Sequence, residues 1–374
     1  MTVLIEVRDA TLRRLGRVDA YASFDATIVD SGIGTWKLAL SGDARGADQL
    51  QEPGAGIVVS RPGTTLPLLS GDVVSVDVQV EKRKSTVVLE GLTDEDVLAG
   101  RLALPSPAGP PYPDAYDDHS GPLETVLRGF VDRNAGPSAI PARRSVELSP
   151  DLGRGPNVRG VPDRYDGLLP FITELVAGVG SPLSFRVVQD GRALRLLISE
   201  PRDLTRRIVL GIDRGNLRGY GYKGKRAAAT YFYAGGTGDL GDRLIVEAGD
   251  TVGRARRELF LDQRNVDDPE LLRQKIEEAR VEQSASSGFT LDTVDAPGST
   301  LGIDYWLGDR VSIRPSGSDA QLTDRVAAVK LAITPKGSQL TPIVASAGAS
   351  LTGLSIVDVI RRIGRRVTNL ETRR

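Results

Sequence analysis

Between Val74 and Val80 the chain alternates valine with Ser75, Asp77 and Gln79, and residues 86–90 answer it across the turn Lys82-Arg83-Lys84. A strict two-residue period puts the valines on one face of a pleated strand, so this stretch is an antiparallel hairpin and not a helix. The neighbouring segments continue the pattern. Trp36, Leu38 and Leu40 alternate with Lys37 and Ala39, and residues 27–29 precede them across the turn Asp30-Ser31-Gly32-Ile33-Gly34. Residues 56–60 form another run before the turn Arg61-Pro62-Gly63. Turns every eight to twelve residues mark a meander of the kind that closes into a small barrel or sandwich. This N-terminal β unit spans residues 1–103, ending in a short helix that starts at Thr93-Asp94-Glu95-Asp96.

Residues 104–122, with Pro105, Pro107, Pro110, Pro111 and Pro113, exclude helix and central strand and read as a surface loop or domain joint. A mixed region, 104–215, follows. Leu123, Val126, Leu127 and Phe130 fall at helical spacing, as do Leu168, Leu169, Ile172, Leu175 and Val176. Residues 183–188 and 194–198 form a hairpin about Gln189-Asp190-Gly191. Strands return over 216–350: 219–223, 228–233, 243–248, 288–291, 310–314, the pair 323–328 and 330–334, and 339–344. One helix, 268–285, interrupts them, with Asp268 as N-cap, Pro269 at its first position, and Leu272, Ile276 and Ala279 on its buried stripe. The sequence displays no repeat of fixed period. The fold class is mainly β with α insertions (α+β).

Composition removes whole classes of chemistry. The chain has 374 residues, no Cys and one His, with 48 basic against 49 acidic residues. Disulfides, Cys-ligated zinc, thiolate clusters and a Cys nucleophile are excluded, and so is any metal site needing two histidines from one chain. A near-zero net charge argues against a globally basic nucleic-acid binder. No run approaches the roughly 18 apolar residues that span a bilayer. The N-terminus lacks a basic region followed by an apolar one, so the expectation is no secretory signal and synthesis in a cytoplasm.

The remaining candidates read as structural. Gly236-Thr237-Gly238-Asp239-Leu240-Gly241 matches a dinucleotide fingerprint, but the segment after it is β-like, so a tight turn between antiparallel strands is expected. Asp117-Asp118-His119-Ser120 reads as a solvated loop; the alternative is a single-His site with carboxylates for Ca²⁺ or Zn²⁺ at a trimer axis. Glu277-Glu278 reads as a solvated helix face. No catalytic, cofactor-binding or metal-ligating residue is assigned.

Near the C-terminus, Ile356, Ile360, Ile363, Val367 and Leu370 are spaced 4-3-4-3. That is a heptad seam with Ile360 and Val367 at a and Ile356, Ile363 and Leu370 at d, a pattern leaning to three or more strands. Arg361, Arg362, Arg365 and Arg366 occupy outer positions. The segment 351–374 is therefore an amphipathic helix. It docks on the chain's own body, on its own trimer, or on a nucleic acid or acidic neighbour.

The order of motifs carries a resemblance. Trp36-Lys37-Leu38 leads to Gly42-Asp43-Ala44, then Pro53-Gly54-Ala55-Gly56-Ile57-Val58-Val59 and Leu69-Ser70-Gly71. Later come Gly236-Thr237-Gly238, Arg257-Glu258-Leu259-Phe260-Leu261-Asp262-Gln263-Arg264, Asp268-Pro269-Glu270-Leu271-Leu272 and Asp304-Tyr305-Trp306-Leu307-Gly308-Asp309-Arg310-Val311. Over residues 25–345 the chain resembles the tail-hub, or minor tail, proteins of long-tailed phages of actinobacteria, which are similar to the central baseplate hub of contractile phages. The resemblance implies a virion protein at the distal end of the tail, a homotrimer with two tube-like antiparallel β-barrel domains per chain. Its implied role is to adapt a sixfold tube to threefold tip proteins during assembly and host attachment. The implied partners are the distal tail protein and tail tube, the tape-measure protein, tip or fibre proteins, and genome DNA passing transiently through the lumen. The family brings no catalytic motif. Two other readings stay open: a tail-associated cell-wall hydrolase or polysaccharide-binding protein, and the hub of a tail-derived injection device.

Overall fold

The computed structural model describes residues 3–345, apart from 82–83, 107–115, 163–164, 179–182, 285, 295, 315–321 and 336. The N-terminal part runs β1 (Leu4–Arg8), β2 (Arg14–Arg17), β3 (Ser23–Val29), β4 (Thr35–Ser41), α1 (Ala47–Leu50), β5 (Gly56–Ser60), β6 (Leu69–Glu81) and β7 (Lys84–Leu92). The middle follows with α2 (Asp96–Ala99), β8 (His119–Pro122), α3 (Leu123–Ala135), β9 (Glu147–Leu148), β10 (Asn157–Gly160), α4 (Leu168–Gly178), β11 (Ser184–Asp190) and β12 (Ala193–Ser199). The last part holds β13 (Val209–Gly211), β14 (Leu217–Lys225), β15 (Tyr231–Gly235), β16 (Ile245–Ala248), β17 (Glu258–Asp262), α5 (Pro269–Glu282), β18 (Ser286–Thr293), β19 (Arg310–Arg314), β20 (Leu322–Thr334) and β21 (Gly337–Ala345). The protein is mainly β, as its alternating pattern requires.

Strands from the two ends of the chain share one curled 13-stranded sheet, ordered β14-β18-β21-β20-β3-β4-β7-β6-β5-β1-β2 with β19 and β13 off this path. The join is β20 against β3, antiparallel, from Ala328 opposite Val29 to Ile333 opposite Phe24. Period-2 alternation supplies the inner face. Phe24, Ala26 and Ile28 on β3, Trp36, Leu38 and Leu40 on β4, Val87 and Leu89 on β7, and Val329, Leu331 and Ile333 on β20 are all buried. Directly opposite residues share a face, so the pairs Phe24–Leu38, Leu38–Leu89 and Ala26–Leu331 continue one apolar layer across four strands. Gly91 lies opposite Trp36, where an added Cβ would fall 2.3 Å from the indole. The missing side chain leaves room for the ring, whose Nε1 donates to the Leu92 carbonyl at 3.2 Å.

The sheet contains an internal repeat that the sequence does not display. β6 and β20 start at 69 and 322 and end at 81 and 334, a constant offset of 253. β7 and β21, at 84–92 and 337–345, keep the same offset. Each long strand has its register irregularity at the matching place, between Val73 and Ser75 and between Val326 and Ala328. The first half of each pairs with a short strand, β5 for β6 and β19 for β20. The sheet thus reads as two four-strand units in the same order, β14-β18-β21-β20 and β3-β4-β7-β6.

In the middle part, α3 and α4 pack on the β11–β12 hairpin around Phe130, Phe171, Phe185 and Leu196. The Phe130 and Phe171 rings meet edge to face at 4.8 Å. Gly191 takes the left-handed φ of +63° that the tight turn after Asp190 demands. Between β14 and β18 stands a smaller body in which α5 covers the sheet β16-β15-β17 through Phe232, Leu272 and Ile276. Asp268 caps α5 by accepting from the Glu270 N–H at 2.9 Å, as its sequence indicates. Residues 323–334, read from sequence as two strands, are one continuous strand with an internal bulge.

Candidate assembly interface

Both ends of the eight-strand series carry unpaired edges. β6 pairs with β5 only from Leu69 to Asp72, so among the described residues its stretch 73–81 has β7 on one side and no strand on the other. At the far end β14 pairs, among the described residues, with β18 alone. A long, regular edge is a template for another strand.

The same edges expose apolar side chains. Val76, Val78 and Val80 lie opposite Leu89, Val87 and Ser85, so they belong to the inner, core-facing side of the sheet. Yet Val76 is 41%, Val78 47% and Val80 70% exposed, while Val87 and Leu89 are fully buried. The apolar layer runs past its cover. On β14, Tyr220 and Tyr222 lie opposite Leu291 and Phe289, both buried, and Tyr222 is 60% exposed. The Tyr222 and Phe289 rings stand 5.0 Å apart.

A buried polar network anchors β6 just before its open stretch. Arg8 on β1 is fully buried and donates to both carboxylate oxygens of Asp94, to Asp72 Oδ1 at 2.7 Å and to Gln189 Oε1 at 3.2 Å. Ser70 Oγ also donates to Asp94. Burial opposes the Arg8 cation, but the hydrogen bonds and charge of Asp94 and Asp72 outweigh it and hold its pKa above the ordinary value. A Cβ at Gly56 would come within 2.7 Å of Arg8 Nε, so that glycine leaves room for the guanidinium.

The middle part docks on this scaffold through backbone donors. The edge of β11 away from β12 presents the N–H groups of Phe185, Val187 and Gln189. They donate to Ser31 Oγ at 3.1 Å, Glu95 Oε1 at 3.0 Å and Ser70 Oγ at 2.8 Å. Side chains thus satisfy donors that a neighbouring strand would otherwise take. Burial pushes the Glu95 carboxyl up, against the charge of Arg186. Arg325 on β20 donates to Asp30 at 2.6 Å and to Ser184 Oγ at 2.9 Å, tying the join between the units to the same hairpin.

The residues singled out in the sequence distribute as follows. Ile356, Ile360, Ile363, Val367 and Leu370 lie outside the described residues. Gly236–Gly241 connects antiparallel β15 and β16, as read, with Gly238 at φ +98°. His119 departs from the solvated-loop reading: it opens β8, which pairs with β10. Its Nε2 lies 2.5 Å from Asp117 Oδ1, and its ring meets Phe130 edge to face at 5.1 Å. Asp117 also accepts from Arg133, and Asp118 from Arg159. Ordinary helix packing and arginine partners order this stretch. Glu278 departs too. It is buried between Lys275, at 3.0 Å, and Gln274, at 2.9 Å, whereas Glu277 is solvated as expected. Among the described residues no group of three or more His, Asp or Glu side chains is placed to hold a metal ion, and no helix is long and apolar enough to cross a membrane. The sequence reading missed the open valine stripe, because alternation signals a strand face without saying what covers it.

The fold is that of phage-type tail proteins. The tail protein of Neisseria meningitidis MC58 superposes with a TM-score of 0.61 at 11% identity, over 93% of this chain and 98% of that one. The 43 kDa tail protein of prophage MuSo2 from Shewanella oneidensis gives 0.58 at 14% identity, over 93% and 99%. Prophage tail protein gp18 of Listeria monocytogenes EGD-e gives 0.52 at 10%, over 98% and 99%. No curated protein sequence matches the chain. Residues 4–344 match the siphovirus ReqiPepy6 Gp37-like protein family, and the chain belongs to it.

Proposed function

We propose that this chain is the homotrimeric hub at the distal end of the tail, a structural part and not an enzyme. The observation that carries the reading is the repeat: two four-strand units in the same order within one curled sheet, with an unpaired edge at each end. Three chains bring six such units, which suits a ring that faces a sixfold tube on one side and threefold tip proteins on the other. The units within 1–103 and 216–350 form the ring, and the region 104–215 sits on its outside. The distal tail protein and tube, the tape-measure protein and the tip or fibre proteins are the partners, and genome DNA passes through the lumen at ejection. The seam Ile356, Ile360, Ile363, Val367 and Leu370 serves the same assembly, against its own trimer or the next tip protein.

The test is the mass of the purified full chain in solution together with electron microscopy of the particle. Closed three-chain rings support the reading. A chain that stays monomeric at every concentration, or that clears a suspension of host cell walls, overturns it.

A further inference from the structure

The internal junction between the units specifies the contact between copies. Within the chain, the second half of β20 pairs with β3. The equivalent second half of β6 pairs with nothing on that side among the described residues, and the strand equivalent to β3 is the equally open β14. The equivalence is set by register. Phe24 lies opposite Leu38, and Leu38 plus the offset of 253 is Leu291, which lies opposite Tyr220. Likewise Ala26 lies opposite Trp36, whose equivalent Phe289 lies opposite Tyr222. Phe24 and Ala26 therefore correspond to Tyr220 and Tyr222.

Building on the trimeric reading, we infer that residues 75–80 of β6 in one copy pair antiparallel with residues 220–225 of β14 in the next copy, in the register of the β20–β3 junction. Leu331 opposite Ala26 becomes Val78 opposite Tyr222. Ile333 opposite Phe24 becomes Val80 opposite Tyr220. Lys330 opposite Thr27 becomes Asp77 opposite Lys223.

Two observations independent of the repeat fit this register. The apolar residues of the two edges meet one another: a stripe of exposed β-branched valines from one copy, and the exposed Tyr222 with the half-buried Tyr220 from the next, a combination favoured across antiparallel strands. The charges also match. Within the paired stretches, β6 carries Asp77 and no basic residue, while β14 carries Lys223 and Lys225 and no acidic one. Such a contact is head-to-tail, joining two different surfaces, and repeated around an axis it closes a ring without leaving a free edge.

Disulfide trapping tests it cleanly, because the chain has no cysteine of its own. Directly opposed residues on antiparallel strands have Cα atoms about 4.5–5.5 Å apart, within the span a disulfide bridges. Asp77 is exposed, so the change there leaves the fold intact. In the full-length double variant Asp77→Cys/Lys223→Cys, mild oxidation converts most of the protein to a covalent three-chain species on a non-reducing gel. Each single variant yields no three-chain band, and neither does the shifted pair Asp77→Cys/Gly219→Cys. As a second readout, Asp77→Lys weakens the trimer at least tenfold, and adding Lys223→Asp restores it. Trimers that form but remain uncrosslinked, or that crosslink only in the shifted pair, overturn this register and leave the trimeric reading standing. In that case the valine edge takes a strand from a different tail protein. Protein that never trimerises overturns both.

Discussion

Val78 and Leu331 hold the same place in two halves of one sheet, yet Leu331 is 1% exposed and Val78 47%. The difference is the strand beside them, because β3 flanks β20 while the corresponding edge of β6 is open. The two residues respond differently to truncation. Leu331→Ala removes core packing and costs about 2–5 kcal/mol. Val78→Ala in the isolated chain costs about 1 kcal/mol or less, as for a partly exposed side chain. Chemical denaturation of the two variants at a concentration where the chain is monomeric measures the contrast. Equal losses would mean that Val78 is already covered in the monomer.

Arg8 ties β1, the base of β6, the turn before α2 and the β11 hairpin to one guanidinium. Arg8→Met leaves Asp94 buried without its counter-charge, and removing one partner of a buried pair costs about 3–5 kcal/mol. Asp94→Asn in the same variant relieves the stranded charge, so the double variant is more stable than Arg8→Met alone. Equilibrium unfolding of the native protein, both single variants and the double variant decides it: additive losses would show that the pair is not coupled.

The strands and helices were largely legible in the sequence because period and capping are local. Arg310–Arg314 as a strand, Asp268 as a cap and Pro269 at the start of α5 follow from neighbours a few residues away. The repeat was not legible. Leu69, Val73, Val76 and Val78 match Leu322, Val326, Val329 and Leu331 by type alone. The inserted body between β14 and β18 also shifts the first strand of one unit against the rest. The burial of Glu278 and the ordering of Asp117 depend on Lys275, Arg133 and Phe130. Those partners are set by how α3 and α5 pack, which no short sequence window contains. The valine edge is the same problem in reverse, because its partner is absent from the chain's own fold.

Glu124 gives the middle part an acid-sensitive anchor. It is fully buried and accepts from the Arg154 backbone N–H, Nε and a terminal guanidinium nitrogen at 2.8–2.9 Å. The Arg154 hydrogen bonds hold its carboxyl below the ordinary value of 4.5. A depressed carboxylate contributes stability above its unfolded pKa and loses it as pH falls through the folded one. Glu124→Gln therefore lowers stability at pH 7, by about 1.5–3 kcal/mol for hydrogen bonds to a charged group. The gap between variant and native protein narrows as pH drops below 4.5. Thermal melts across that range show it, and a gap that stays constant from pH 7 to pH 3 would sink the assignment.

The C-terminal seam makes the last prediction. Ile356, Ile360, Ile363, Val367 and Leu370 repeat every 3.5 residues on average, but two heptads are too few to hold a helix in water alone. Three copies brought together remove five apolar side chains per chain from water. At roughly 1.5–3 kcal/mol for each fully buried side chain, that offsets the ordering of a segment this short. In the proposed trimer the arginines at 361, 362, 365 and 366 repel one another unless acidic groups of a neighbour or solvent ions screen them, and attachment of the next tip protein is therefore proposed to depend on the same segment. Ile360→Asp with Ile363→Asp places two charges per chain in the seam. The double variant keeps the folded body and loses tip attachment, trimer stability or both. Mass measurements on the purified protein and micrographs of assembled tails read the two effects separately. If trimer mass and tip attachment both survive the double change, the seam belongs to neither interface.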